Sequence, residues 1–240
     1  MARLRHGEPW GMRRDARNGR VSHFVPPGVP LPASAIEYWD SELQCSPSAW
    51  VGQIGGRTLV GTGTPTVAVD GAFFNGRVAA QTASSGKYWS GTFAALAPAG
   101  SRPQVYTVAR SRALDAATRA IVGGGNGGTA FSVGQRTTSR RAVWNNSQLV
   151  SNGVGTTNPG KWASWFSGTH VNLDIDGVLG QTIDASAMSV DLVDVNVGQQ
   201  NGASQGHGDS SVVFYLICGS AMSGAEKTAL DAYALYRWGV

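Results

Sequence analysis

The strongest constraint lies at the C-terminus. Ser223 to Val240 (SGAEKTALDAYALYRWGV) reads as one short helix with a marked start and a marked stop. Ser223 and Glu226 have the S-x-x-E spacing of a capping box, in which the hydroxyl accepts from the N3 amide and the carboxylate accepts from the N-cap amide. Ala225, Ala229, Leu230, Tyr233 and Tyr236 recur at helical spacing and predict one apolar face. Gly239 stands where a C′ glycine ends a helix. The apolar run Ser211 to Ser220 just before it predicts a strand. A chain that closes this way needs a sheet for its helix to cover.

The rest of the sequence supplies one. Charged residues make up only 14% of the 240, and there are 33 glycines, which suits short strands and tight turns and argues against a helical bundle. Strands are expected at Ile36 to Asp40, Trp50 to Gln53, Gln104 to Arg110, Arg141 to Asn145, Leu149 to Asn152, His170 to Ile175, Val178 to Ile183, Asp191 to Val197 and Ser211 to Ile217. Gly55 to Thr66 reads as a turn region. Thr66 to Val78 reads as a hairpin around a DG turn, and Ala120 to Val133 as two strands joined by Gly123 to Gly128. This many short strands predict a two-sheet sandwich. No internal repeat and no second domain is visible. No run of about eighteen apolar residues exists to span a membrane, and the N-terminus lacks the apolar stretch of a secretory signal. Cys45 and Cys218 fit no zinc or redox spacing. Cys218 reads as a small buried hydrophobe.

Charge is distributed unevenly. Residues 1–30 hold six arginines (Arg3, Arg5, Arg13, Arg14, Arg17, Arg20) against Glu8 and Asp15, which is +4; the other residues hold 19 − 6 = 13 basic and 15 − 2 = 13 acidic groups. The basic character belongs to the arm and the body is neutral. The arm also carries Trp10 and Phe24 and runs into Pro26, Pro27, Pro30 and Pro32, so it reads as an extended spacer over 1–35. Aromatics and prolines suit a peptide laid on a protein surface, with arginines pairing to acidic side chains. A nucleic-acid role is disfavoured, because no basic stripe continues into the body.

The terminal residues Met222, Ser223, Glu226, Tyr233, Arg237, Trp238 and Gly239 resemble the closing segment of concanavalin A-like (laminin G-type) jelly-roll domains, especially those of bacteriophage virion proteins. Ile36 to Asp40 (IEYWD) is similar to the opening strand of that family. Phe74, Asn75 and Gly76 are similar to its Phe-x-Gly element, and Gln104 to Arg110 to its central strand. The likeness covers 36–240. It loosens at the last strand, where Gly208, Asp209 and an apolar run replace a Gly-x-x-x-Glu pattern. It implies an all-β, two-sheet antiparallel jelly roll over 36–240, with a short C-terminal helix and the arm left outside. It also implies a non-enzymatic virion structural protein, capsid-decorating or head-associated, assembled in the host cytoplasm and held to other virion proteins through its arm, in several copies. The alternative is a carbohydrate-binding module of a tail or fibre that takes a host glycan.

Catalytic patterns are missing. The Glu-x-Asp-x-x-Glu string of glucanases on this fold is absent, as are G-x-S-x-G and H-E-x-x-H. No enzyme and no cofactor is expected. Gly123, Gly125 and Gly128 satisfy G-x-G-x-x-G, but a strand follows where a phosphate-binding helix is needed. Asp174 and Asp176 could share a calcium ion, but the following Gly177 favours a hairpin turn. His207 and Asp209 lie in a glycine-rich loop and read as solvated loop residues. Tyr88, Trp89, Trp162 and Trp165 are candidates for a sugar-stacking platform, with the sandwich core as the competing reading. Trp162 and Trp165 have odd spacing, so both cannot point inward from one strand.

Overall fold

A computed structural model describes residues 28–116, 119–125, 131–144, 147–150, 153–167, 170–184, 190–199 and 208–240, together with two short strands nearer the N-terminus. The chain divides into two compact units, Met1–Pro30 and Leu31–Val240. In the first, β1 (Met12–Arg14) pairs antiparallel with β2 (Val21–His23), with Arg13 opposite Ser22. The arm, expected as an extended spacer, therefore contains an antiparallel strand pair.

The second unit is a sandwich of two antiparallel sheets. One sheet has the order β13 (Ser147–Val150), β12 (Ser139–Trp144), β11 (Phe131–Arg136), β10 (Arg119–Gly125), β17 (Val190–Val197), β8 (Tyr88–Ser101), β5 (Thr58–Thr62) and β4 (Ala49–Val51). The other has the order β16 (Val178–Asp184), β15 (His170–Ile175), β14 (Gly160–Ser167), β9 (Gln104–Ser111), β18 (Ser210–Cys218), β7 (Val78–Gln81) and β6 (Thr66–Val69). The opening strand β3 (Ala35–Asp40) also pairs with β18, so the beginning and end of the domain lie side by side.

Alternating apolar residues from both sheets fill the interior. Trp39, Trp50, Trp89, Phe131 and Tyr215 are its largest fully buried members. Three of the buried indoles find a partner for their N–H. Trp39 Nε1 donates to Arg57 O at 3.1 Å, Trp50 Nε1 to Asp40 O at 3.0 Å and Trp89 Nε1 to Ser46 O at 3.0 Å. Both cysteines are free thiols, and burial pushes each up to about 12.

β9 and β18 are buried on both faces, because a third layer covers the second sheet. Helix α1 (Gly224–Trp238) lies on its outer side. The Phe214 ring stands 5.4 Å from Trp238 and 6.3 Å from Tyr106. Tyr106 Oη donates to Asp231 Oδ1 at 2.9 Å. The capping box forms as read: Ser223 Oγ accepts from Glu226 N, and Glu226 Oε2 accepts from Ser223 N at 2.8 Å. Gly239 closes the helix at φ 74°.

The buried stripe of α1 differs from the expected one. Leu230, Tyr233, Ala234 and Trp238 face the sheet, whereas Ala225, Ala229 and Tyr236 are exposed. At about 100° per residue these two sets lie roughly a third of a turn apart, and the two large aromatics at 233 and 238 decide which is buried.

Two other expectations need correction. The Gly55 to Thr66 turn region contains β5. The DG turn does not join two strands directly. β6 reaches β7 in a register that sets Val69 opposite Val78, and a 3-10 turn, Phe73–Gly76, lies between them. Phe74 and Asn75 there both adopt φ 54°. The detour buries Phe74 and lets Asn75 Nδ2 donate to Arg237 O at 3.3 Å, so the loop grips the end of α1.

Candidate functional site

The two outer faces of the sandwich differ. That of the second sheet lies under α1 and the Phe73–Gly76 turn. That of the first sheet carries small polar side chains. Strand alternation puts Trp89, Val133 and Val197 into the core, which turns Ser90, Ser132 and Asn196 outward. The register aligns them: Val60 lies opposite Ser90, Ser90 opposite Asn196, Asn196 opposite Gly123 and Gly123 opposite Ser132. One row therefore crosses five strands. The next row holds Thr92 opposite Asp194, and Thr92 Oγ1 donates to Asp194 Oδ1 at 2.7 Å. Tyr88, two residues before Ser90, shares this face and is half-buried.

Exposure falls along the first row. Val60 is 57% exposed, Asn196 6% and Ser132 3%. The row starts open at β5 and is recessed at β11. Beyond Val60 its side chains are two hydroxyls and an amide, which donate and accept but carry no charge, with Asp194 beside them. Gly123, like Asn196 and Ser132, is buried, so the part of this face open to a ligand is Tyr88, Ser90, Thr92 and Asp194. A ring, two hydroxyls and a carboxylate suit a neutral, many-hydroxyl ligand better than a phosphate.

The residues singled out from the sequence are not gathered in one place. Tyr88 borders the polar row. Trp89 is fully buried and meets Trp50 edge to face at 5.9 Å, and Trp162 is 2% exposed in the core. Neither can stack on a ligand, because a strand position facing the opposite sheet has no route to solvent. Trp165 is half-buried on the outer side of β14, as its odd spacing from Trp162 requires. No platform is built from the four. Arg13 and Arg14 lie on β1, while Arg3, Arg5, Trp10, Arg17, Arg20 and Phe24 fall outside the described residues.

Asp174 and Asp176 act in a turn. Asp176 and Gly177, at φ 56° and 82°, join β15 to β16. Asp176 Oδ1 accepts from Lys161 N at 2.8 Å, and Asp174 Oδ1 accepts from Gly177 N at 3.0 Å with Lys227 Nζ at 3.5 Å. An ammonium already stands beside Asp174, and among the described residues no three His, Cys, Asp or Glu side chains form a metal-binding group. Gly123 and Gly125 end β10, and the strand β11 follows. His207 and Gly128 lie outside the described residues. Asp209 Oδ1 accepts from Ser84 N at 2.8 Å and so ties a loop.

Other buried charges hold the fold together. Glu37, with no exposed surface, accepts from the amides of Ile54 at 2.7 Å and Gly55 at 2.9 Å, and pairs with Arg57 at 3.2 Å. Asp70 accepts both arms of the Arg110 guanidinium, at 2.6 and 2.9 Å, while that guanidinium lies 3.8 Å from the centre of the Phe73 ring.

The polar row was not identified from the sequence. Its signal was there in Asp194 and Asn196, which alternate with Val195 and Val197 and so mark a strand with one wet face.

No protein-family model matches the sequence, and no curated protein matches it. Solved structures do share its architecture. One is the receptor-binding domain of botulinum neurotoxin D, at TM-score 0.61 and 12% identity, covering 83% of this chain and 52% of that one. Another is domain 4 of the arabinanase AbnA from Geobacillus stearothermophilus, solved with arabinotriose, at TM-score 0.57 and 12% identity, covering 84% of this chain and 98% of that one. A third is botulinum neurotoxin type C, whose uptake by cells depends on two ganglioside molecules, at TM-score 0.62 and 10% identity, covering 84% of this chain and 51% of that one. The chain thus spans about half the length of the toxin chains it matches and nearly all of the arabinanase domain. At these identities the likeness is one of fold: an antiparallel β-sandwich. Among the described residues no helix is long and apolar enough to cross a membrane.

Proposed function

We propose that the folded domain is a non-catalytic binding module whose ligand is a saccharide, taken on the outer face of the sheet that runs from β13 to β4. The observation that carries this reading is the group Tyr88, Ser90, Thr92 and Asp194 at the open end of the aligned row, whose Asn196, Gly123 and Ser132 are buried. Hydroxyl and carboxylate groups exchange hydrogen bonds with sugar hydroxyls, and Tyr88 supplies an apolar ring edge at the margin. The fold is shared with a domain crystallised with arabinotriose and with receptor-binding domains, which supports the same assignment.

A second feature favours a particular setting. The net positive charge is confined to residues 1–30, which form a unit of their own. We assign this arm to attachment: it fixes the module to a bacteriophage particle, at the head or the tail, by pairing arginines with acidic side chains of a neighbouring virion protein.

Two experiments separate the readings. A glycan array probed with the full chain and with Thr92→Ala tests the module: saturable binding by the former and its loss in the latter are expected, and equal signals from both contradict the site. Deleting residues 1–30 tests the arm: the shortened protein is expected to be absent from purified particles, and its incorporation at the normal level contradicts attachment.

A further inference from the structure

Asp194 is the one carboxylate among the residues at the open end of the polar row. Thr92 stands opposite it on β8, and Thr92 Oγ1 donates to Asp194 Oδ1 at 2.7 Å. None of the ion pairs among the described residues includes Asp194. The cations of this side of the molecule are taken or distant. Arg57 pairs with Glu37, and Arg119 with Asp115. Arg141 lies on β12, and its Nε donates to Ser139 Oγ at 2.9 Å. Three strand spacings separate β12 from β17, about 14 Å, which exceeds the ~8 Å over which a charge acts in physiological salt. Lys87 precedes Thr92 by five residues, about 16 Å along an extended chain. The carboxylate therefore meets a ligand without a cation to offset it.

Hydrogen-bond polarity points the same way. An ionised carboxylate only accepts, and a hydroxyl has a single proton to give. The proton of Thr92 is committed to Asp194, so toward a ligand Thr92 presents lone pairs alone. Ser90, one row away, can donate or accept. The Thr92–Asp194 corner asks its ligand for donors at both residues.

We infer, resting on the saccharide reading above, that Asp194 sets the specificity of the site: with Thr92 it takes two neighbouring hydroxyls of a neutral saccharide and turns away saccharides that carry carboxylate or sulfate. Neighbouring hydroxyls supply the two donors. An acidic group placed there fails twice, because it repels Asp194 and brings acceptors where donors are required. Like charges about 5 Å apart at a partly solvated surface weaken binding about tenfold or more.

Calorimetric titration of the full chain with two classes of glycan tests this: neutral glycans from the array, and counterparts bearing a uronate, a sialate or a sulfate. Wild type is expected to bind the neutral class more tightly by about tenfold or more. Asp194→Asn keeps the shape, removes the charge and presents an amide donor. It is expected to bind neutral glycans about fivefold more weakly, the difference between a charge-assisted and a neutral hydrogen bond, and acidic glycans more tightly than wild type does. A wild type that binds acidic glycans as tightly as neutral ones, or an asparagine variant with the wild-type ratio between the classes, overturns the specificity role and leaves the saccharide site standing. A wild type that binds neither class contradicts the saccharide site itself, and the specificity role falls with it.

Discussion

Arg237 Nη2 stands 3.0 Å from Asp40 Oδ2 and 2.9 Å from Glu42 Oε2, so the last turn of α1 is bound to the end of the opening strand. Arg77 joins them through Glu42 at 2.8 Å and through the Arg237 carbonyl at 2.9 Å. Tyr233 Oη accepts from the same guanidinium. Two sequence motifs that looked like independent family marks, IEYWD and Tyr-x-x-x-Arg-Trp-Gly, are thus the two halves of one clasp.

Breaking this clasp from one side leaves a charge in the interior. Arg237→Met keeps the packing volume but strands Asp40, which has no exposed surface. A loss of about 3–5 kcal/mol is expected in urea unfolding, the cost of removing one partner of a buried pair. Asp40→Asn combined with Arg237→Met should recover part of it.

Two carboxylates respond to pH in opposite senses. Burial raises the Asp40 carboxyl above its usual range, and Arg237 only partly opposes it. The native state then holds this proton more tightly than the unfolded chain, so the contribution of Asp40 falls as pH rises from the ordinary aspartate value to the raised one. Burial also pushes Asp70 upward, but the Arg110 hydrogen bonds outweigh it and leave the carboxyl below its usual range. The stability from Asp70 is present above the ordinary value of about 3.9 and is lost as pH falls through the lowered one. Asp70→Asn is therefore expected to be less stable than wild type at pH 7 by about 1.5–3 kcal/mol. The difference should vanish at pH values below both. A melting series across pH checks this.

The helix ends carry separate, smaller terms. Ser223→Ala removes the acceptor for Glu226 N and is expected to cost about 1 kcal/mol. Gly239→Ala should cost more than the ~1 kcal/mol of an ordinary glycine replacement, because its φ is 74° and the added Cβ would lie 2.6 Å from Asn75 Oδ1. Thermal melts of the two variants rank them.

Neighbouring aromatics on β8 should behave as different kinds of residue. Trp89→Ala empties a core position and is expected to cost about 3–5 kcal/mol. Tyr88→Ala, half-buried on the outer face, should cost less stability than Trp89→Ala, yet weaken saccharide binding. Denaturation and binding measured on both variants would reveal the exchange.

The sequence made the fold legible where local chemistry spoke alone. The capping box, the Gly239 stop and the hairpin at Asp176 and Gly177 each rest on a few adjacent residues. What it hid depends on partners distant in sequence. Nothing near Thr58 to Thr62 says that β8 will pair with it, so that strand looked like a turn. Phe74 adopts a left-handed backbone because α1 waits at the other end of the chain. Trp89 and Trp162 resemble binding aromatics until the opposite sheet closes over them. The polar row was harder still, since Ser90, Ser132 and Asn196 become neighbours only through register.

The most direct test of the saccharide assignment is amide chemical-shift mapping. A neutral oligosaccharide selected by the array would be titrated into the labelled full chain. The expected result is saturable shifts at Tyr88, Ser90, Thr92 and Asp194, with none along the outward side of α1. Saturable shifts confined to α1 or to other loops, with the row unmoved, would contradict it.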